Sequence, residues 1–370
     1  MKIGINTRFL LPTTLEGIGT YTHQITKRLV NLLPQHQFYF FFDRPFDEKF
    51  IYSNNIEPII VSPPARHPFL WYYWFEKSIP KQLKKYNIDV FFSPDAYLSL
   101  ATDVPQLLTI HDIAFEHFPK QNPWLVQQYY QYFVPKYIEK AKHIVTVSEF
   151  TKQDLIRQYK ANANKISVCY NAFDEEDIVE KDKNILSKYN LKKQKYFIFI
   201  GAIHPRKNIL NLLKAYQQYC NQTQKPKKLL LIGRKAWMND EVNQFLQANS
   251  KLPIVWIQKI ERSNLLYLLQ QSYALLLVSF FEGFGIPIVE AQHFNIPSVV
   301  ANNSALPEIA GNTAVYCEAN NVESITKAML TIASDEELYY QLKENCKVQK
   351  QRFSWQKSAA QIAMILEQIK

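Results

Sequence analysis

The sequence predicts an α/β protein of two Rossmann-like domains facing a central cleft, and three observations carry that prediction. Short β-branched or aromatic runs alternate with longer amphipathic stretches in both halves, the pattern of parallel α/β sheets. The alternation restarts with a strong strand after a charged interruption near the middle. The chain has 370 residues, more than one hydrophobic core usually serves.

In the first half the candidate strands are Lys2–Asn6, Phe38–Phe42, Asp89–Phe92, Gln106–Ile110 and His143–Val147. Helical stretches lie between them at Ile18–Leu33, Leu70–Lys85 and Pro123–Lys140. Ser148 followed by Glu149 reads as an N-cap opening a helix through Tyr159, because a serine hydroxyl can accept from the free amides of the first turn. The acidic-then-basic stretch Asp174–Lys195 divides the halves. Strand signals resume at Tyr196–Ile200 and continue at Lys228–Ile232, Ile254–Ile257, Ala274–Val278, Ser298–Val300 and Ala314–Cys317. The expected domains are therefore 1–175 and 190–352. The terminal segment 353–370 contains the amphipathic stretch Ser354–Ile369, which begins with Trp355 and reads as a packed helix.

Composition narrows the class. The chain is 47% hydrophobic and 21% charged, ordinary for a globular protein. Aromatics reach 14%, with 24 Phe and 22 Tyr, an excess that core packing accounts for. The four cysteines, Cys169, Cys220, Cys317 and Cys346, form no CxxC pair, so neither a zinc site nor a disulfide framework is expected, and a reducing cytoplasm fits. MKIGINTRFLL is too poor in apolar residues for a signal peptide and reads as a first strand. The longest apolar run, Tyr273–Phe281, falls far short of a membrane span. The net charge of +10 is uneven: residues 1–180 balance 19 Lys/Arg against 19 Asp/Glu, whereas residues 181–370 hold 24 and 14. A basic half suits an anionic ligand. The dispersed cations and the absence of a known module argue against nucleic acid.

Glycine is informative because there are only eight. Gly17 and Gly19 follow the first strand, Gly201 and Gly233 end strands, and Gly283 and Gly285 precede a helix. Ligands of parallel sheets sit at the carboxyl ends of strands, where backbone must come close. Two of these places carry chemistry. In EGFGIPIVE, Glu282–Glu290, a strand ends, a glycine loop follows, and Pro287 suits the first turn of a helix. Free amides at that start favour phosphate or hydroxyl oxygen. Glu282 lies in the loop and Glu290 about one turn inside the helix, so the two carboxylates can meet different parts of one extended ligand, each accepting from sugar hydroxyls. In GAIHPRKN, Gly201–Asn208, Arg206 and Lys207 stand at the start of a helix, where the dipole disfavours cations unless an anion lies between them.

In these motifs and their order the chain resembles glycosyltransferase family 4, a retaining family of the GT-B fold. The resemblance runs through EGIGTYTHQ, TIHDIAFEHFP, VTVSEFTKQDL, YNAFD, GAIHPRKNILNLLKAY, LLLIGRKAW, EGFGIPIVEA and IPSVVANNSALPEIAG. GAIHPRKN and TIHDIAFEHFP are similar to bacterial members that build surface polysaccharides, many of them mannosyltransferases. The resemblance implies a sugar moved from a nucleotide-diphosphate donor, GDP-mannose being the best match, to a saccharide or lipid-linked acceptor. It implies that Glu290 binds the ribose and Glu282 the transferred sugar, while Lys207 and Arg206 neutralise the leaving diphosphate. Gly17 and Gly19 would bring amides to the phosphate. Gly201, Gly283, Phe284 and Gly285 would line the donor, and His111 would face the sugar near the reacting carbon. The terminal helix would cross back to the N-terminal domain. No cofactor is implied, and no DxD motif in a suitable loop calls for a metal. One departure is Ala202, where many members carry arginine; Arg206 is the candidate replacement.

Other classes fit less of this. A dinucleotide oxidoreductase needs its glycine turn at once after the first strand, whereas Gly17 comes well after Asn6. A sugar-nucleotide epimerase of similar shape stays open, as does an inactive sugar-nucleotide-binding scaffold, the reading Ala202 favours. HPFLWYYWFEKSIPKQLKKY, residues 67–86, joins aromatics to lysines as a surface-lying helix does, so peripheral membrane contact stands beside plain packing for that segment.

Overall fold

The computed structural model describes residues 1–11, 15, 17–177, 182, 184–235 and 240–369. Glu16 of EGIGTYTHQ, residues 178–181 and 183 of the charged stretch, Ala236 and Trp237 of LLLIGRKAW, and Lys370 lie outside the described residues. The chain divides into two compact units, Met1–Asn171 with Ser354–Lys370, and Ala172–Phe353.

The first unit runs β1 (Lys2–Asn6), α1 (Gly17–Leu32), β2 (Gln37–Phe42), β3 (Ile56–Ile60), α2 (Pro68–Tyr73), α3 (Ile79–Lys85), β4 (Val90–Ser93), β5 (Gln106–Ile110), α4 (Ala114–His117), α5 (Trp124–Lys140), β6 (His143–Thr146), α6 (Glu149–Tyr159) and β7 (Ile166–Val168). Its seven strands are all parallel, in the order β3-β2-β1-β4-β5-β6-β7. Both faces are covered, so the strands read as apolar runs: Phe38, Phe40, Phe41, Val90, Phe91 and Phe92 are fully buried. Two strands escaped the pattern reading, and both lie at edges. β3 carries Pro58, which cannot donate to a ladder and is tolerated only at an edge. β7 has three residues, too few for a period.

The single helix expected at Leu70–Lys85 is α2, a π-helical turn at Trp74–Ser78, and α3. Pro80 is the reason: it has no amide to donate, and its ring would press on the Glu76 carbonyl of a regular α-helix, which the wider turn relieves. Ser148 caps α6 as expected, accepting from the Thr151 amide at 3.1 Å. The segment after Ser354 is a helix, Trp355–Gln368, within this unit. Its Trp355 meets Tyr21 of α1 edge-on with centroids 6.0 Å apart, and Ser358 donates to the Tyr170 carbonyl at 2.7 Å.

The second unit runs α7 (Ile185–Lys188), β8 (Tyr196–Ile200), α8 (Ile209–Asn221), β9 (Lys228–Ile232), α9 (Asp240–Ala248), β10 (Ile254–Ile257), α10 (Arg262–Gln271), β11 (Ala274–Leu277), α11 (Ile286–His293), β12 (Ser298–Ala301), α12 (Leu306–Ala310), β13 (Ala314–Cys317), α13 (Val322–Ser334) and α14 (Glu336–Gln349). Its six parallel strands lie in the order β10-β9-β8-β11-β12-β13. Every strand expected in this half is present to within one residue. Each unit is thus Rossmann-like, with the order reversing between β1 and β4 in one and between β8 and β11 in the other. No helix among the described residues is long and apolar enough to cross a membrane.

One backbone approach fixes the carboxyl edge of the second sheet. Gly233 follows β9 with φ +157°, and a Cβ there would stand 1.8 Å from the Gly201 carbonyl oxygen. Gly233→Ala is therefore predicted to cost more than about 1 kcal/mol. Calorimetry should show the transition of this unit falling by about 2–4 °C per kcal/mol, the scale for domains of this size. An unchanged transition would mean that the strand ends can part freely.

Candidate active site

The strand order decides where the motifs of the second unit meet. Because the chain leaves β8 toward β9 and β11 toward β12, the loops after these two neighbouring strands diverge and open a crevice at the sheet edge. The loop after β8 is GAIHPRKN and the loop after β11 is SFFEGFG, so topology alone brings Lys207 and Glu282 together.

The first loop is shaped by two residues. His204 has the extended conformation of an N-cap, and its Nδ1 accepts from the Arg206 amide at 3.2 Å, opening a single 3-10 turn at Pro205–Lys207. Asn208 then adopts a left-handed conformation, φ 60°, with its Nδ2 donating to the carbonyls of Val278 at 2.9 Å and Ala319 at 2.5 Å. This break corrects the expectation that Arg206 and Lys207 open a helix. They precede α8, which starts at Ile209, so the helix dipole bears on them less than expected. The Phe280 amide donates to the Arg206 carbonyl at 2.9 Å, and Arg206 Nη1 donates to the Phe281 carbonyl at 3.3 Å, lacing the loops together.

Across the crevice, Lys207 Nζ donates to Glu282 Oε1 at 2.6 Å, and Ser279 Oγ donates to the same oxygen at 2.7 Å. The Glu282 amide donates to Ser304 Oγ at 3.0 Å. Burial alone would push the Glu282 carboxyl up, but the charges of Lys207 and Arg206 and the hydrogen bonds from Lys207 and Ser279 outweigh it and hold it below the usual carboxylate range. Glu282 is therefore an anion at neutral pH, while its Oε2 carries no hydrogen bond from the described residues and can accept from a ligand hydroxyl. Gly201 lies beside the lysine: a Cβ there would stand 3.8 Å from Lys207 Cε.

Gly283, Phe284 and Gly285 lead into α11. Gly285 has φ +108° and caps the helix, and Phe284 is buried against Phe353. Glu290, the fifth residue of α11, is 2% exposed. Its Oε1 accepts from Arg262 Nη2 at 2.6 Å, so Glu290 is paired across to the start of α10 rather than with the Lys207–Glu282 pair. Its Oε2, too, carries no hydrogen bond from the described residues. The sequence reading missed Arg262, which sits in no motif; a buried carboxylate of that type calls for a cation, but nothing in the chain pattern says which one.

The first unit places His111 directly after β5. Its Nε2 lies 2.8 Å from the Pro94 carbonyl oxygen, which can only accept, so Nε2 carries the proton. Burial pushes the imidazole below its ordinary value despite that bond and the nearby Asp112 and Asp95. The ring is neutral, with Nδ1 as an acceptor. Tyr21 of α1 meets it edge-on at 4.8 Å and bonds Thr109 Oγ1 at 3.2 Å. Gly17 and Gly19 lie in the first turn of the same helix. Around Gly17 a Cβ would find open space, whereas at Gly19 it would stand 2.7 Å from the Phe9 carbonyl oxygen. A second feature missed in the sequence is Arg8, whose Nε donates to Asp95 Oδ2 at 2.6 Å with both side chains buried.

The comparisons with known proteins point to one enzyme class. Residues 15–177 match the model of Glycosyltransferase Family 4, and residues 181–349 match that of Glycosyl transferases group 1. The chain is 27% identical over 283 residues to O-antigen chain mannosyltransferase B of Escherichia coli, covering 75% of this chain and 74% of the relative. It is 25% identical over 292 residues to O-antigen chain mannosyltransferase RfbU of Salmonella typhimurium, covering 77% and 78%. Among solved structures, a glycosyltransferase from Rickettsia africae superposes with a TM-score of 0.73 at 20% identity over 100% of this chain and 98% of its own. Anabaena HepE in complex with UDP and glucose gives 0.75 at 18% over 100% of both.

Acid should undo this site in a defined direction. Glu282 has a depressed carboxyl pKa in the fold, so its stabilisation is fully present above the unfolded value of about 4.3 and is lost as pH falls from there through the lower folded value. His204 is also depressed, by burial and then by Arg206 and Lys207, so its contribution is lost as pH falls below about 6.5. Urea denaturation followed against pH should show Glu282→Gln flattening the acid limb and His204→Asn flattening the limb near neutrality; unchanged slopes would detach both groups from the fold's electrostatics. The two family models, end to end over residues 15–349, with the two Rossmann-like units make this protein a glycosyltransferase of the GT-B class, its N-terminal half matching family 4 and its C-terminal half group 1.

Proposed function

We infer that this enzyme is a retaining mannosyltransferase. It takes mannose from GDP-mannose and transfers it to a saccharide or lipid-linked acceptor during synthesis of a surface polysaccharide. It works in the cytoplasm, at the inner face of the membrane. The observation that carries the transferase reading is the Lys207–Glu282 pair with Arg206 beside it. The support for mannose is the pair of mannosyltransferase relatives, each aligned over about three quarters of the chain.

The geometry suits departure of a diphosphate. As the glycosidic bond breaks, negative charge grows on the leaving oxygen, and preorganised cations lower that barrier most. An ammonium has three donors, so Lys207 can keep Glu282 with one and meet phosphate with another. Lys207 and Glu282 cancel as a pair, and Arg206 leaves the group with one net positive charge, the role an arginine at position 202 has in many relatives of this kind. The cations take the part that a divalent metal has in other glycosyltransferases, and no cofactor is needed. Glu282 Oε2 accepts from the transferred sugar, and Glu290 Oε2 from the ribose while Arg262 holds Oε1. Neutral His111 offers Nδ1 to a sugar hydroxyl. The departing phosphate takes the acceptor proton, and attack from the same face keeps the anomeric configuration.

Thermal-shift measurements with GDP, UDP and dTDP test the base, since a ligand at a hundred times its Kd stabilises by about 2.7 kcal/mol. A shift with UDP or dTDP and none with GDP would overturn GDP-mannose. Steady-state kinetics tests the division of labour. Lys207→Ala should lower kcat about a hundred- to a thousandfold, because its bond strengthens as charge develops. Glu290→Ala should raise KM with kcat nearly kept, because ribose hydroxyls do not change charge. Arg262 is 43% exposed on its side chain, so water can take over its bond in that variant. An unchanged kcat in Lys207→Ala would shift the burden to Arg206.

A further inference from the structure

Exposed aromatic side chains of the first unit gather on one surface. Eleven large hydrophobic residues are exposed among the described residues, and six of them lie on two touching helices: Phe69, Leu70, Tyr72 and Tyr73 of α2, and Trp124 and Tyr132 of α5. Phe69 is 69% exposed and Trp124 74%. The helix beneath is firmly held. Trp74, Phe75, Ile79 and Leu83 are buried in the core. Trp74 Nε1 donates to the Val61 carbonyl and Trp71 Nε1 to that of Ala65, both at 2.9 Å. Trp71 stacks on Tyr130 and Tyr72 meets Phe133, fixing α2 against α5. The rings therefore stand in water on a rigid base, which a core-packing role does not require.

Charge continues the pattern. From Phe69, every fourth residue is exposed, and the series runs Phe69, Tyr73, Lys77, Lys81, Lys85. The only acid between Pro68 and Lys85 is Glu76, and it is turned inward, its carboxylate accepting from the Leu100 amide at 3.0 Å. On α5, Lys136 Nζ lies 3.2 Å from the centre of the Tyr132 ring, and the single acid, Glu139, comes in the last turn. A face with aromatic rings at one end, ammonium groups at the other and no outward carboxylate on α2 or α3 has the chemistry of the bilayer interface. There, rings sit among headgroups and lysines meet anionic lipid. A protein partner would leave the lysine row to be matched by acids of its own, whereas anionic lipid supplies that match everywhere.

We propose that this face, Phe69 to Lys85 with Trp124 and Tyr132, docks the enzyme on an anionic lipid surface. The proposal rests on the membrane location inferred above and names the surface that provides it. Full-length protein is sedimented with vesicles of phosphatidylcholine alone or mixed with phosphatidylglycerol. The expected result is binding to the mixed vesicles only, weakened by salt. Phe69→Ser/Tyr73→Ser and Lys77→Glu/Lys81→Glu should each reduce it at least tenfold, while Tyr316→Ser/Tyr340→Ser in the second unit leaves it unchanged. Transfer to a water-soluble acceptor, measured on the same proteins, separates this proposal from the transferase reading, because it should be the same in all of them. Failure of the wild type to bind mixed vesicles would overturn the proposal. So would wild-type binding by both surface variants, equal binding to neutral vesicles, or a concentration-dependent dimer in sedimentation that the variants abolish.

Discussion

The chemistry of the Ala172–Phe353 unit depends on one topological constraint. Parallel strands need crossovers, and every crossover must leave from a carboxyl end. Where the order reverses, at β8 and β11, two adjacent loops leave in opposite directions and open a gap between the strand ends. Backbone must reach the rim of that gap, and the scarce glycines stand there for this reason: Gly201 and Gly233 touch backbone to backbone, and Gly285 turns the chain into α11. A larger residue at 233 would push apart the ends of β8 and β9 and move the lysine loop with them.

Electrostatics then uses the gap. A carboxylate 6% exposed is costly to ionise unless paired, and Glu282 is paired, by Lys207 from the other loop and Ser279 from its own. The arrangement spends one oxygen of the carboxylate on structure and leaves the other for a ligand. Arg262 does the same for Glu290. Two buried carboxylates, each bonded to a more exposed cation, set charged groups in place at the sheet edge. Such preorganisation is what an electrostatic catalyst needs, because dipoles and charges already in place cost no reorganisation during reaction.

Much of this was legible in the sequence because the signals were local. The central strands are apolar runs bounded by glycine or charge, and the two glycine-bearing loops follow strands directly, so the placement rule for parallel sheets put Lys207 and Glu282 at the carboxyl edge of the sheet without coordinates. What was hidden was hidden for physical reasons. β3 and β7 are edge strands, where Pro58 and a length of three residues cost little and erase the period. The π-helical turn before Pro80 and the left-handed Asn208 are responses of backbone to a neighbour, not to composition. Arg262 and Arg8 are arginines that a sequence reader assigns to solvent, since that is where most arginines lie. Their partners are 28 and 87 residues away.

The hidden pair in the first unit completes the comparison. Arg8 follows β1 and Asp95 follows β4, the two strands at which the first sheet reverses its order, just as Lys207 follows β8 and Glu282 follows β11 in the second. Both units thus tie the diverging loops with one ion pair at the same topological place. The pairs differ in what surrounds them. Asp95 also accepts from Asn6 at 2.7 Å and Ser93 at 2.9 Å on its other oxygen, and the Arg8 guanidinium lies 4.1 Å from the centre of the Tyr97 ring. Its side chain is 4% exposed and that of Asp95 1%, against 20% and 8% for Lys207 and Glu282. With both carboxylate oxygens occupied and little access for solvent, the Arg8–Asp95 pair holds loops. The Lys207–Glu282 pair keeps one oxygen and two ammonium donors for a ligand. The same device is a closed clasp in one unit and a half-open one in the other, and the difference lies in whether both oxygens of the carboxylate are already bonded.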